Sequence, residues 1–68
     1  MSVYKVIEII GTSTQSWEDA AASAVAKARE SLRDLRVAEV TKQDLDIGED
    51  GALTYRTKLS VSFKYEDG

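Results

Sequence analysis

Four carboxylates near the glycines of residues 48–51 are the groups in this sequence best suited to bind a hard cation. They are Asp44, Asp46, Glu49 and Asp50. Asp44 and Asp46 fit the first two ligand positions of the twelve-residue calcium loop, whose oxygen ligands suit Ca²⁺. The match then fails, because Gly48 and Tyr55 stand where further oxygen ligands are required. The pattern favours a solvated acidic turn, although a site shared between subunits could use some of these oxygens.

Two further segments could contact a ligand, and each has a simpler structural interpretation. Residues 11–13 (Gly-Thr-Ser) precede a helix start, where backbone N–H groups can bind an anion. Their spacing matches neither nucleotide-binding glycine motif, and Glu18 and Asp19 already compensate the helix dipole. Trp17 could stack on a planar ligand, but it lies on the apolar stripe of the predicted helix, which favours packing in the core.

The composition excludes most catalytic constellations. The 68 residues include no His and no Cys, so imidazole bases, thiolate nucleophiles, disulfides and zinc–thiolate sites are absent. We therefore predict that the chain is not an enzyme. Its net charge of −3 argues against a nucleic-acid partner. No apolar run approaches the length of a membrane span or a signal core, so we predict a cytoplasmic protein without a membrane partner.

The short chain predicts a single domain, residues 1–68, that needs support from outside itself. Domains below about 70–80 residues seldom gain more than roughly 3–5 kcal/mol from one core, and natural ones add disulfides, metals or subunits. Disulfides are absent here. The remaining common remedy is oligomerisation, so we predict that the protein is not a monomer.

The order of apolar patterns predicts a β-α-β-β chain. Strands are predicted at residues 3–10, 37–47 and 52–65, and a helix from 16 to 32 or 33. Ser16 is the predicted N-cap, and Asp19 is placed to complete a capping box. The turn at residues 48–51 predicts an antiparallel hairpin, and residues 66–68 are predicted to be mobile. We expect an α+β fold in which a three-stranded antiparallel sheet wraps around one helix.

Alternation in the last strand predicts which side chains face the helix. Leu59 and Val61 take the helix side, where a symmetric hairpin adds Ala38 and Val40. The opposite face then collects Val37, Glu39, Thr41, Gln43, Arg56, Lys58, Ser60 and Ser62. This face is a solvated surface, a binding surface or a contact between subunits, and composition does not decide between them.

Four stretches of the chain resemble the dodecin family. Residues 3–13 (VYKVIEIIGTS) and 16–21 (SWEDAA) are similar to the opening of the dodecins. Residues 37–40 (VAEV) and 59–63 (LSVSF) fall where that family has its second and third strands. The resemblance implies a β-α-β-β fold, a hollow shell of twelve copies, and a non-enzymatic role in binding and buffering small ligands, most often flavins.

The family's flavin site falls on Val37 and Arg56. Flavin-binding dodecins stack the isoalloxazine ring against a Trp at the Val37 position, and a Gln at the Arg56 position helps to hold the ring edge. Val has no π-face, and stacking of a planar ligand is worth about 1–3 kcal/mol per ring. The resemblance therefore disfavours tight flavin binding, while Arg56 could contact a phosphate or an anionic ring edge.

Residues 35–38 (LRVA) are similar to a stretch of the subgroup called calcium dodecins, which also lacks the Trp. That resemblance implies calcium binding without identifying the ligands. The leading hypothesis is a homododecamer that binds calcium or another small ligand. Its alternatives are a flavin store in which an aromatic such as Tyr55 replaces the Trp, and a structural or protein-interaction shell.

Overall fold

The computed structural model describes residues 1–65 and has four elements in the predicted order. They are β1 (Tyr4–Ser13), α1 (Trp17–Arg29), β2 (Leu35–Ile47) and β3 (Leu53–Lys64). β3 is the central strand and pairs antiparallel with both β1 and β2. The predicted three-stranded antiparallel sheet with one helix is confirmed. The tail predicted to be mobile, residues 66–68, lies outside the described residues.

The element bounds differ from the prediction mainly at three places, and one of them is the start of β2, which lies at Leu35 and not at residue 37. β1 continues past Gly11, which stays in the sheet opposite Thr57. α1 ends at Arg29, earlier than the pattern predicted. Asp34 adopts a left-handed conformation with φ 56°, which a helix cannot contain, and the chain enters β2 directly after it. Among residues 1–65, no helix is long and apolar enough to cross a membrane.

The N-terminus of α1 is capped by Ser16, but the capping box is incomplete. The Ser16 hydroxyl accepts a hydrogen bond from the Asp19 N–H at 3.0 Å, as predicted. The Asp19 carboxylate does not return to the Ser16 N–H and instead accepts the Ser13 hydroxyl at 2.7 Å. The Ser13 oxygen in turn accepts from the Ser16 N–H at 3.5 Å. The Asp side chain is one methylene shorter than the Glu of a standard box, which accounts for the difference.

Alanines allow the helix to lie close to the sheet. Ala20, Ala24 and Ala28 are its buried residues, and the helix packs mainly on β1 and β3. A Cβ added at Gly11 would overlap the Ala20 carbonyl oxygen and stand 2.9 Å from the Ala24 Cβ. Gly11 therefore sets the approach distance between α1 and β1.

The core centres on Leu59 and Val61 of β3, each 1% exposed. Ile7 and Ile9 of β1 pack against them. Buried Thr57 lies beside this cluster, and its hydroxyl donates to the Trp17 carbonyl at 2.9 Å. The predicted helix-facing side of β3 is confirmed by these contacts.

A β-bulge at Thr41 changes the predicted face of part of β2. Near the start of the strand the register agrees with the prediction, with Ala38 opposite Val61. The ladder then shifts between Val40 and Lys42, and the Thr41 hydroxyl donates to the Lys58 carbonyl at 3.2 Å. One extra residue inverts the alternation that follows it.

The assignment of Gln43 to the face opposite the helix was therefore wrong. Gln43 pairs with Thr57, a residue of the helix side. Lys42 and Asp44 take the opposite face in its place, beside Lys58 and Arg56. No sequence signal marks the bulge, because Thr is common in regular strands.

Candidate functional site

The sheet face turned away from α1, called the outer face below, carries both predicted ligand-binding residues. Its side chains form rows across β1, β3 and β2. In order, the rows are Val6, Ser62 and Val37; Glu8, Ser60 and Glu39; Ile10, Lys58 and Lys42; and Thr12, Arg56 and Asp44. The outer face therefore begins with apolar side chains and continues with charged ones.

Arg56 is held by Asp44 in a two-pronged ion pair. Nε donates to Oδ1 at 2.7 Å, and an Nη atom donates to Oδ2 at 2.8 Å. This parallel geometry is the strongest form of the Arg–carboxylate interaction. The hydrogen bonds from Arg56, helped by its charge and by that of Lys42, hold the pKa of the Asp44 carboxyl below its ordinary value. The guanidinium fork of Arg56 is thus already occupied by a residue of its own chain.

This ion pair predicts a pH dependence of stability. The folded-state pKa of Asp44 lies below the ordinary value of 3.8, so the pair stabilises the fold above that pH and loses its effect as pH falls through the lowered pKa. We expect Asp44→Asn to lower the melting temperature at neutral pH, and the difference from wild type to shrink in acid below that value. The size is small because both groups are solvent-accessible.

Melting curves between neutral pH and acid measure this effect, with Asp46→Asn as the matched control. Asp46 lies on the same strand, and among residues 1–65 it joins none of the ion pairs. A wild-type advantage over Asp44→Asn that persists unchanged in strong acid would contradict the assignment.

Val37 lies far from Arg56 within one chain. Val37 is opposite Ser62, six residues along β3 from Arg56, a separation of roughly 20 Å at the rise of an extended strand. Its side chain is 62% exposed. The structure therefore does not bring the two predicted site residues together, and a site containing both would require two copies.

The acidic turn does not assemble a metal cage within one chain. Among residues 1–65, no three acidic, His or Cys side chains are grouped as metal ligands. The Asp44 carboxylate is bound to Arg56, and the Asp50 carboxylate accepts the Ala52 N–H at 3.0 Å. The turn itself closes through Gly51, whose φ of 84° suits glycine.

Trp17 has a structural role, as its position on the helix stripe predicts. Its ring N–H donates to the Asp44 carbonyl at 3.0 Å, and its ring meets that of Tyr55 edge-on with centroids 5.1 Å apart. These contacts attach the start of α1 to the far half of the hairpin. Tyr55 consequently lies on the helix side, away from the outer face that carries Arg56.

The sequence predicts Arg56 as a candidate ligand-binding residue but predicts neither its partner Asp44 nor the nearby Lys42 on β2. Asp44 was predicted only as part of the acidic turn, and Lys42 was not predicted at all. A strict alternation of faces cannot show a β-bulge. The nearest usable signal was the charge complementarity of Asp44 and Arg56, which lie at similar distances from the turn.

A family model described as Dodecin matches residues 3–66. Calcium dodecin of Mycobacterium tuberculosis is 62% identical over 64 residues, covering 94% of this chain and 90% of that protein. Dodecin of Thermus thermophilus is 42% identical over 65 residues, covering 96% and 94% of the two chains. The chain belongs to the dodecin family, and the expected resemblance is confirmed.

The fold agrees with this assignment. The crystal structure of the M. tuberculosis calcium dodecin superposes with a TM-score of 0.91 at 58% identity, covering 98% of this chain and 96% of that one. That relative is described as a calcium-chelating antigen with a novel calcium-binding site. The sequence and the fold therefore place this chain beside a calcium-binding relative.

Proposed function

We propose that the protein is a non-enzymatic dodecin that assembles as a homododecamer and binds calcium in preference to flavin. The identity to calcium dodecin supports the calcium part. Val37 and Arg56 stand where the resemblance predicts the Trp and the Gln of the flavin-binding dodecins, which supports weak flavin binding. The absence of His and Cys supports a binding role over a catalytic one.

The main observation in support of the homododecamer is the large apolar surface that a single chain leaves exposed. Within residues 1–65, the buried apolar residues are only Ala20, Ala24, Ala28, Leu59 and Val61. Large apolar side chains left exposed include Val6, Ile10, Val37, Val40, Leu45, Ile47 and Leu53. They lie on both faces of the sheet, so one helix does not cover them. Apolar surface on this scale marks contacts between proteins.

The shape of the chain supports the same proposal. Its radius of gyration is 14.0 Å, and it extends 51 Å along its longest axis. A compact domain of this length has a radius of gyration of about 11 Å. The hairpin projects beyond the helix, and neighbouring copies are the natural cover for its apolar side chains.

The donors of one chain do not fit a calcium ion. Calcium takes 6–8 oxygen ligands, whereas the described residues hold no cluster of three carboxylates and Asp44 is bound to Arg56. We propose that oxygens from more than one copy form the calcium site. On this proposal, calcium binding depends on assembly.

Calcium linkage to stability tests the proposal. A ligand that binds only the folded protein at 100 times its Kd stabilises it by about 2.7 kcal/mol. We expect the melting temperature to rise with excess calcium and to fall on chelation, with magnesium as the control cation. Identical melting curves with calcium and with chelator would contradict the proposal that the protein binds calcium.

The alternative function is flavin storage, for which Tyr55 is the only aromatic next to Arg56 in sequence. Tyr55 packs edge-on against Trp17 on the helix side, so its ring face is not offered to a ligand on the outer face. We expect riboflavin to keep its fluorescence in the presence of the wild-type protein. Strong quenching at micromolar protein would favour the alternative.

A further inference from the structure

A shallow pocket on the outer face is lined mainly by cations. It has a volume of about 130 Å³, and its lining residues are Ile10, Lys42, Asp44, Arg56 and Lys58. Three cations therefore share the pocket with one carboxylate, in a chain whose net charge is −3. The Asp44 carboxylate is paired with Arg56, and Glu8 beside the pocket is paired with Lys58, so among residues 1–65 Lys42 is the pocket cation without an ion-pair partner.

The two lysines lie directly opposite each other on neighbouring strands. The bulge at Thr41 brings Lys42 into register with Lys58. Like charges directly opposite across a pair of strands are destabilising. Glu8 of β1 relieves part of this repulsion, since its carboxylate lies 3.6 Å from the Lys58 ammonium. Among residues 1–65, Lys42 joins none of the ion pairs.

An anion between the two ammonium groups would convert this repulsion into two charge-assisted hydrogen bonds. The anion must carry several acceptor oxygens to serve two donors at once, which a phosphate group does. Ile10 forms the opposite wall and offers an apolar surface to whatever the phosphate is attached to.

We propose that Lys42 and Lys58 form a binding site for a phosphate group on the outer face. The Asp44–Arg56 pair is its fixed wall. Two carboxylates limit the affinity: Asp44 occupies the Arg56 fork, and Glu8 lies against the Lys58 ammonium, so both repel an incoming anion. The site is independent of the calcium proposal.

Titration calorimetry at low ionic strength, with inorganic phosphate as the probe, tests this site. Removal of one charge-assisted donor by Lys42→Gln should weaken phosphate binding by about tenfold or more. Lys42→Arg keeps the charge and should retain binding. Lys27→Gln removes the same charge from an exposed position on α1, where Lys27 pairs with Glu30, and should leave the affinity unchanged.

A second variant tests the role of Asp44. Asp44→Asn removes the competing carboxylate and frees the Arg56 fork, so phosphate should bind more tightly than to wild type. Titration of glycerol phosphate beside inorganic phosphate distinguishes a phosphate ester from free phosphate as the ligand of this site. Equal affinity indicates free phosphate, and tighter binding of the ester indicates a larger ligand that extends over Ile10.

Three results would overturn the site. Phosphate could fail to bind wild type, or Lys42→Gln could bind it as tightly as wild type. Alternatively, native mass spectrometry could show that Lys42→Gln and Lys58→Gln break the assembly. The ammonium groups would then serve a contact between copies, a result that leaves the proposed oligomer standing.

Discussion

Val37→Trp is expected to raise the affinity for riboflavin by about a hundredfold or more, because stacking is worth about 1–3 kcal/mol per ring. Val37 lies where the resemblance to dodecins predicts the stacking Trp, and its side chain is exposed on the outer face. Two copies that each contribute one Trp would enclose the flavin ring on both faces. Riboflavin is a better probe than a phosphorylated flavin, because it has no phosphate group that could interact with Lys42 or Lys58.

Quenching of riboflavin fluorescence measures this gain, and Val6→Trp is the matched control. Val6 lies across Ser62 from Val37 on the same face, and the two side chains are 59% and 62% exposed. Val6→Trp adds the same ring in a similar setting without occupying the family position. Equal quenching by both variants would show nonspecific stacking, and no quenching by Val37→Trp would contradict the site assignment.

Gly11→Ala is expected to lower the free energy of unfolding by about 1–3 kcal/mol, the usual cost of overpacking a close contact. The added methyl group would overlap the Ala20 carbonyl oxygen, which is backbone and cannot rotate away. The helix would have to move off β1, and the packing of Ala24 would loosen with it.

Urea unfolding of Gly11→Ala beside Gly48→Ala tests this contact. A Cβ at Gly48 would lie 3.0 Å from the Asp50 carboxylate oxygen, which belongs to a side chain that can rotate. We therefore expect a much smaller loss for Gly48→Ala. Equal stability of Gly11→Ala and wild type would mean that α1 does not lie against β1 as described.

The sequence predicted the elements well where a single physical pattern ran without interruption. Alternation from Leu53 to Lys64 placed Leu59 and Val61 in the core, and the spacing of Ala20, Ala24 and Ala28 placed the helix stripe. The helix end was less predictable. After Arg29 the N–H groups of Glu30 and Ser31 donate to carbonyls three residues back, a tighter turn that periodicity does not report.

The candidate site was only partly predictable, because its geometry depends on one inserted residue. The bulge at Thr41 places Lys42 and Asp44 on the outer face, and no local propensity distinguishes a bulged Thr from a regular one. The distance between Val37 and Arg56 was predictable, because a symmetric hairpin already places Val37 opposite Ser62. It follows from the register of β2 with β3, which makes any site that contains both residues a property of the assembly.

Native mass spectrometry of freshly purified protein at low concentration tests the central claim most directly. In the proposed homododecamer, other copies cover the exposed apolar side chains of the sheet, and the expected particle has the mass of twelve chains. Calcium retained in that particle and lost with chelator would support the ligand proposal in the same spectrum. A folded particle with the mass of one chain would contradict the assembly and every site that depends on it.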